Sequence, residues 1–503
     1  MRTNGQADHG VVRAGARAIV ALLVGLLALL APPPSSAFAA QGDLVGGRFS
    51  DCFWRYGAVG VDDFNIAYPD AGATYWVAGF RRPPGSQLML KGKYPHARFM
   101  SMQTYDLLGR GADALADYQI DPQPRSKNPF RHGVNRTTRK RSYKVSLVHE
   151  KNPGFPLEAY DGEPARNKLY AVPDSGPITE TDSTGTYELD LLMMRVYVPD
   201  KGRNLTGGVG LPKPTLKLAD GKVLKGQALC DAVDSESKAL GHTRVPDPSA
   251  LLISEEAYAA MRYPNELTAP FNVFAGLMAV PREVPPTFPA VRKGEWRAQY
   301  DRRYLLQLWT GDDAPGASLS PPERGASGGF FPNAHNAYVR TAINRKFGKV
   351  VVFRGKLPSA PRTHKGNRRI GSGQVRYASY CMNEAPVTTR VTDCAYDEQI
   401  PTNRKRIYTI VVSRKADRPR SARKACGKAW IRWNRSGDGY KDPDFGWFQI
   451  RNMLPDRSFE HAIQLTSTPG DEKDVIGRYL PKLKYYESGA AFARSKLGGC
   501  RSR

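Results

Sequence analysis

The chain has 503 residues, of which 41% are hydrophobic and 10% aromatic, so it is long enough for roughly two or three domains and is unlike a disordered chain. It carries 74 Lys and Arg against 48 Asp and Glu, a formal net charge of +26. Together with 48 Gly and 39 Pro, this composition predicts a loop-rich globular protein that attracts anionic partners.

Residues 1–39 have the pattern of a secretory signal peptide. Arginines precede the apolar run AIVALLVGLLALLA at 18–31, and Ala37 and Ala39 have the small-x-small spacing of a cleavage site. The alternative is a retained anchor, but the run is shorter than the roughly 20 residues that span a membrane. We therefore predict a secreted protein, free or associated with the cell wall, without a transmembrane segment after cleavage.

The rest of the chain contains two copies of one long pattern. Several segments recur in the same order. They are YPDAGATYWVAGF and FPNAHNAYVRTAI, LKGKYP and FRGKLP, RFMSM and RYASY, RKRSY and RKRIY, and MRVYVPD and IRNMLPD. A repeat of this length indicates a duplicated domain, because solenoid repeats are far shorter. The second copy carries a basic insertion that covers most of RTHKGNRRIGSGQ.

In chain order, the pattern predicts a first β domain at 40–245, a connector at 246–300 and a second β domain at 301–503. A short helix is predicted to open each copy, over ATYWVAGFRR at 73–82 and NAYVRTAINRKF at 336–347. Short strands with Gly and Pro turns follow and favour a β-sandwich or jelly-roll-like domain. The connector combines a helix beginning near Ser249 with the Pro-rich PREVPPTFP.

The segments FPNAHNAYVRTAI, KVVVFRGKLP, VRYASYCMNE and RNMLPD resemble those of a family of uncharacterised secreted two-domain proteins from high-GC Gram-positive bacteria. The resemblance covers most of the second copy and, less closely, the first. It implies export and a bacterial origin. The family has no known catalytic residues to carry over.

Six cysteines in an exported chain indicate disulfide bonds. Cys381 and Cys394 flank a short segment, and we predict that they pair. The sequence leaves the pairing of the other cysteines open. They are Cys52, Cys230, Cys426 and Cys500.

The positive charge is concentrated in three clusters, at 124–144, 362–369 and 403–424. We expect their cations to bind an anionic envelope polymer, an acidic polysaccharide or an anionic membrane surface. Nucleic acid is a weaker candidate, because no zinc-finger, helix-turn-helix or RNP signature is present. The alternative is a solvated surface that only confers solubility. The candidate anion-binding residues are Arg131, Arg139, Lys140, Arg141, Arg362, Lys365, Arg368, Arg369, Arg404, Lys405 and Arg406.

A second hypothesis is a secreted hydrolase or lyase that acts on a polysaccharide or a lipid. Its candidate polar pocket consists of residues repeated in both copies, whose Arg and Asp side chains could line a concave site. They are Arg98, Ser101, Asp117, Arg195, Arg376, Ser379, Asp393 and Arg451. Asp397 competes with Asp393 as the counterpart of Asp117. The alternative is a set of Arg–carboxylate bridges that hold strands together.

Few other motifs indicate chemistry. GASGG at 325–329 fits G-x-S-x-G, but PPER before it and GFFPN after it predict a loop and not a nucleophile elbow at Ser327. No metal-binding or cofactor motif occurs, so we predict neither.

Overall fold

The computed structural model describes residues 52–233, 290–299 and 331–500, apart from short gaps. The gaps are at 55, 63–64, 66–67, 106–110, 155–163, 174–175, 178, 184, 372, 385–389 and 440–441. The predicted signal peptide, the helix near Ser249 and the GASGG loop lie outside the described residues. Within the described ranges, no helix is long and apolar enough to cross a membrane.

The first copy folds into two sheets. One has the strand order β1-β2-β9-β4-β5, with β8 paired to β9, and the other has the order β11-β10-β3-β6-β7. Side chains from both sheets, such as Met100 and Val145, share one core. The elements are β1 (Tyr56–Val59), β2 (Ala73–Arg82), β3 (Gln87–Lys93), β4 (Ala97–Tyr105), β5 (Gly111–Ala116), a 3-10 turn (Asp117–Gln119), β6 (Ser142–Lys151), β7 (Lys168–Val172), β8 (Thr179–Asp182), β9 (Gly185–Pro199), β10 (Lys213–Lys217), β11 (Val223–Leu224) and α1 (Gly226–Ala232).

The second copy repeats this architecture, with sheets ordered β12-β13-β19-β15-β16 and β18-β17-β14-β20. Its strands are β12 (Trp296–Ala298), β13 (Asn336–Asn344), β14 (Val350–Lys356), β15 (Val375–Asn383), β16 (Val391–Tyr396), β17 (Ile407–Ser413), β18 (Ala429–Arg432), β19 (Phe445–Pro455) and β20 (Lys482–Tyr486). Its helices are α2 (Glu472–Ile476), α3 (Gly489–Ala493) and 3-10 turns at Arg345–Phe347, Asp397–Gln399, Lys415–Asp417, Lys424–Cys426, Ile463–Leu465 and Gly477–Tyr479.

The strand orders of the two copies correspond element by element. The path β2-β9-β4-β5 matches β13-β19-β15-β16, and β10-β3-β6-β7 matches β20-β14-β17-β18. Each second sheet ends in a parallel pair, β6 with β7 and β17 with β18. The prediction of a mostly β fold built from two homologous sandwiches is confirmed. The strand β12 lies in the segment assigned to the connector and pairs with β13.

The helices predicted to open the copies are wrong, because 73–82 and most of 336–347 form the strands β2 and β13. Burial alternates along β2, and the strand pairs with β9 over its whole length. Its Tyr, Trp, Val and Phe side chains favour a pleated strand over a helix. The apolar residues that matched a helical spacing therefore also fit a period of two.

The repeated glycines of LKGKYP and FRGKLP lie at the ends of β3 and β14, where they pack against tyrosines of the RKRxY motifs. Gly92 lies opposite Tyr143, and a Cβ on Gly92 would lie 2.5 Å from the tyrosine ring. Gly355 lies opposite Tyr408, and its Cβ would lie 3.0 Å from the hydroxyl. Both tyrosines are buried. The glycines thus make room for an aromatic side chain, which is a packing role and not phosphate binding.

The third cation of each RKRxY motif bonds to the proline that follows the same glycine-containing strand end. Arg141 donates from Nη2 to the carbonyl of Pro95 at 3.2 Å, and Arg406 donates from Nη2 to the carbonyl of Pro358 at 2.6 Å. Each arginine also accepts, through its own carbonyl, a bond from the residue before that proline. Part of the duplicated charge therefore belongs to the fold.

Three disulfides join the six cysteines, which confirms that the protein carries disulfide bonds. The predicted pair Cys381–Cys394 links facing residues of β15 and β16, with a Cα–Cα distance of 4.1 Å. Cys52–Cys230 joins the first described residues to α1, and Cys426–Cys500 holds the last described ones. The two disulfides that could not be paired from the sequence thus anchor the first and the last described residues.

We expect Gly92→Ala to lower the melting temperature, because the new methyl group must displace the buried ring of Tyr143. Overpacking of this kind costs about 1–3 kcal/mol. The control is Gly371→Ala, where a Cβ meets nothing within 4 Å. Equal melting temperatures for the two variants, measured by thermal unfolding, would contradict this packing role.

Candidate functional site

The duplicated arginines and aspartates meet across the junction of the two copies in a reciprocal arrangement. Arg98 of β4 donates from Nη1 to both carboxylate oxygens of Asp397, each at 2.6 Å. Arg376 of β15 donates from Nη1 to Asp117 at 3.3 Å. All four side chains are buried. Each copy thus supplies an arginine to the carboxylate of the other.

Each of these carboxylates is also held by its own copy. Asp117 accepts a bond from the backbone N–H of Met100 at 2.9 Å, and Asp397 accepts one from Ala378 at 3.0 Å. This shared geometry identifies Asp397 as the counterpart of Asp117. Asp393, the other candidate, binds the backbone N–H of Arg432 instead and lies outside the junction pairs.

A third buried carboxylate, Asp70, was not identified from the sequence. It accepts bonds from Arg451 Nη1 at 2.6 Å, Ser379 Oγ at 2.7 Å and the Tyr377 hydroxyl at 2.6 Å. These donors belong to the second copy, whereas Asp70 belongs to the first. Its position in the repeated Tyr-Pro-Asp and Phe-Pro-Asn segments was the available signal.

One arginine from each of the long central strands β9 and β19 also bonds across the junction. Arg451 donates from Nη2 to the carbonyl of Tyr68 at 2.6 Å, and Arg195 donates from Nη2 to the carbonyl of Phe331 at 2.9 Å. Ser101 is buried in the same region, and its Oγ has no hydrogen-bond partner within the described structure. The candidate polar pocket therefore consists largely of side chains bonded across the junction.

Electrostatics keep the junction arginines charged. Burial lowers the pKa of Arg98, but Asp397 and Glu398 outweigh it and leave the pKa above its ordinary value. Burial likewise lowers the pKa of Arg451, and Asp70 raises it well above the ordinary value. Charged, mutually satisfied groups with no exposed surface fit a structural role. The carboxylates of Asp70, Asp117 and Asp397 are each bonded to an arginine of the other copy.

The candidate anion-binding residues divide into two groups. Arg141 is buried, Arg406 is fastened to the Pro358 turn, and Arg131 binds the carbonyl of Tyr118 and the carboxylate of Asp121. Burial removes Arg141 from the predicted binding surface, whereas Arg131 and Arg406 are half-buried and donate part of their hydrogen bonds to these partners. The exposed cations are Arg139, Lys140, Arg362, Lys365, Arg368, Arg369, Arg404 and Lys405.

The loops that carry the exposed cations adjoin one another. Arg136 donates its backbone N–H to the carbonyl of Arg368 at 2.8 Å, which joins the first cluster to the basic insertion of the second copy. The carboxylate of Glu398 accepts the backbone N–H groups of His364 and Lys365, so this insertion is anchored at the junction. The bond from Arg406 to Pro358 brings the third cluster beside the insertion.

A cleft of about 1240 Å³ lies between the edge strands β12 and β20 of the second copy. Both of its acidic side chains are engaged, since Glu295 pairs with Arg297 and Glu472 accepts the backbone N–H of Ala298. The cleft continues toward the third cluster through Lys356 and Ile407. Its cations are Arg292, Lys293, Arg297, Arg354, Lys356, Lys473, Arg478, Lys482 and Lys484.

Sequence reasoning missed the cleft because its cations do not form a run. Lys482 and Lys484 alternate with apolar residues on β20, and Arg354 lies opposite Lys482 on the adjacent strand. Alternate residues of a strand share one face, so this spacing of two was the available signal. We call the exposed cations of the three loops, together with those of the cleft, the basic band.

No protein-family model and no curated protein matches the chain. Among solved structures it is similar to an uncharacterised protein from Burkholderia cenocepacia, with 12% identity and a TM-score of 0.40 over 97% of this chain and 92% of that chain. It is also similar to a protein from Vibrio parahaemolyticus, with 8% identity and a TM-score of 0.33 over 95% and 99%. Neither likeness supplies an activity, and the Gram-positive origin stays a prediction.

We expect Arg98→Met to destabilise the protein by about 3–5 kcal/mol, because it leaves the buried Asp397 without its cation. The matched control is Arg139→Met, which removes an exposed cation and should change stability by less than about 0.5 kcal/mol. Urea unfolding measures both. Similar stabilities of the two variants would contradict the structural role of Arg98.

A buried histidine at the junction also predicts that the stability of the protein falls at acidic pH. Burial, with help from Arg195, lowers the pKa of His335 to about 3. In the unfolded chain the imidazole of His335 has its ordinary pKa and binds a proton more readily than in the folded protein. The contribution of His335 to the free energy of unfolding is therefore complete above about pH 6.5 and is lost as the pH falls toward 3. It should reach about 5 kcal/mol, because one pKa unit corresponds to about 1.4 kcal/mol. His335→Asn should therefore flatten the fall of melting temperature between pH 7 and 4, and an unchanged slope would contradict this.

Proposed function

We propose that the protein is a secreted, non-catalytic binder of an anionic polymer of the cell envelope or the extracellular space. The observation that carries this proposal is the basic band, in which exposed cations from both copies adjoin. A linear polyanion could run from the cleft of the second copy, past the third cluster and the insertion, to the first cluster. The signal-peptide pattern and the three disulfides support export.

The spacing of the anionic groups along the partner should matter more for binding than the shape of the partner. Cations on adjoining loops attract phosphate or carboxylate groups over about 8 Å at physiological ionic strength. Polymers with regularly spaced anionic groups, such as teichoic acids or acidic polysaccharides, can occupy several such positions at once. An anionic membrane surface offers similar charge but would have to meet the band as a plane.

Most of the residues named for the enzyme hypothesis are bonded across the junction of the two copies. Three arginines form ion pairs with carboxylates of the opposite copy. They are Arg98, Arg376, which pairs with Asp117, and Arg451. No observation among the described residues favours a hydrolase or lyase over a binder. The binding proposal is therefore the one that we put to the test.

The first test is co-sedimentation of the mature protein with isolated Gram-positive cell walls from about 0.05 to 0.5 M salt. Retention should fall steeply with salt, because screening weakens exposed charges. The double variant Arg139→Glu and Lys140→Glu should be released at lower salt and keep its melting temperature, since both side chains are exposed. Arg141 is left intact because it is buried.

The matched control is Lys222→Glu with Lys225→Glu, which makes the same charge change at exposed positions outside the basic band. Equal loss of retention in both double variants would reduce the effect to net charge and contradict a defined surface. Retention that does not respond to salt would contradict a charge-driven partner. Absence of retention at every salt concentration would leave the exposed cations as a solubilising surface.

A further inference from the structure

One face of the main sheet of the second copy carries four polar side chains, three of which stand where the first copy has apolar ones. Arg340 of β13 lies opposite Gln449 of β19, and Asn383 of β15 lies opposite Trp447. Gln449 and Trp447 are two residues apart on β19, so all four side chains project from the same face. Neighbours on such a face are about 4.5–5.5 Å apart between Cβ atoms. They form one compact patch.

The patch is buried, yet its donors are unused. Exposure is 3% for Arg340, 2% for Trp447, 1% for Asn383 and 0% for Gln449. Within the described structure, Arg340 Nη1, Trp447 Nε1, Gln449 Nε2 and both amide atoms of Asn383 have no hydrogen-bond partner. Buried polar groups are nearly always paired, and each orphan costs about 1–3 kcal/mol. Four of these five orphan atoms are donors, and together they indicate a missing partner that accepts hydrogen bonds.

The orientation of the Gln449 amide is fixed by its neighbour. Arg340 Nε donates to Gln449 Oε1, so the amide nitrogen must face away from that bond. The guanidinium also lies over the rings of Tyr68 at 4.8 Å and Trp447 at 5.5 Å. These contacts hold Arg340 in place without consuming its Nη1 donor. The patch is pre-organised before any partner binds.

Arg340 differs from the junction arginines in lacking an anion. Arg98, Arg376 and Arg451 each pair with a buried carboxylate. No carboxylate among the described residues bonds to Arg340, and burial lowers its pKa to about 10. A buried cation without a counter-ion is costly, so its retention requires compensation.

The first copy provides an internal comparison. There the positions of Arg340, Gln449 and Trp447 are occupied by Val77, Met193 and Leu191. None of these side chains can donate a hydrogen bond. Asn383 corresponds to Tyr105, which lies opposite Leu191 and donates its hydroxyl to the carbonyl of Pro332 at 2.7 Å. Three of the four positions thus fold with apolar side chains in the first copy, so the donors of Arg340, Gln449 and Trp447 are not a requirement of the architecture.

We propose that Arg340, Trp447, Gln449 and Asn383 form a buried binding site for a small oxyanion group, a carboxylate or a phosphate. Arg340 would supply the charge, and Trp447 Nε1, Gln449 Nε2 and Asn383 Nδ2 would supply neutral donors. The site is separate from the basic band, because its residues are buried and the band is exposed. It can hold an anion whether or not the band binds a polymer.

The test is thermal unfolding of the mature protein, dialysed into chloride, with acetate or inorganic phosphate titrated at constant ionic strength. A ligand that binds only the folded state raises the melting temperature in a saturable way. Trp447→Phe keeps a ring but loses the donor, and it should need about tenfold more anion for half of the effect. Arg340→Met should raise that concentration about a hundredfold or abolish saturation. The anion that saturates at lower concentration distinguishes a carboxylate site from a phosphate site.

The control is Arg139→Glu with Lys140→Glu, which alters the band and should respond to the anion as the unmodified protein does. If Arg340→Met does not fold, Trp447→Phe still decides the matter. An equal response of the unmodified protein and Trp447→Phe would mean an adventitious ion only and would overturn the proposal. No saturable response to either anion would also overturn it. Because the control variant loses band binding alone, failure of this site is distinguishable from failure of the proposed function.

Discussion

The structure depends on an exchange of buried ion pairs between two homologous domains. Arg98 of the first copy reaches Asp397 of the second, and Arg376 of the second reaches Asp117 of the first. A buried charge that loses its partner is far more costly than one that was never buried. Neither copy can therefore part from the other without leaving charged side chains unpaired. Two sandwiches that could each have been a domain on its own thus behave as one unit.

The Lys and Arg residues that give the protein its positive charge have different roles at and around this junction. Some arginines hold the junction, others such as Arg141 fasten turns, and Arg340 is buried without an anion. The cations that remain exposed lie on loops that the junction brings together, because Glu398 anchors the basic insertion there. Domain pairing and the position of the basic insertion beside the first cluster are therefore consequences of the same interface. A net charge alone could not have distinguished these groups.

Much of the fold was readable from the sequence because duplication repeats strand patterns in order. The mostly β class, the two copies and the Cys381–Cys394 bond are confirmed. The helix predicted over 73–82 failed because its aromatic and apolar spacing fits two periods, and pairing with β9 decides between them. The roles of Arg98 and Asp117 were beyond sequence. The pattern shows that each is repeated, whereas only the packing shows that each binds the other copy.

The most direct test of this account is a double-mutant cycle at the junction, with Arg98→Met, Asp397→Leu and the double variant unfolded in urea. The exchange of ion pairs predicts a coupling energy of about 2 kcal/mol or more, because the double variant removes both charges of the Arg98–Asp397 pair. Glu398, which also pairs with Arg98, loses its cation equally in Arg98→Met and in the double variant, so its effect cancels in the cycle. The same cycle with Arg376 and Asp117 should also show coupling. Single effects that add within about 0.5 kcal/mol would mean that the two residues are independent and would contradict the central claim.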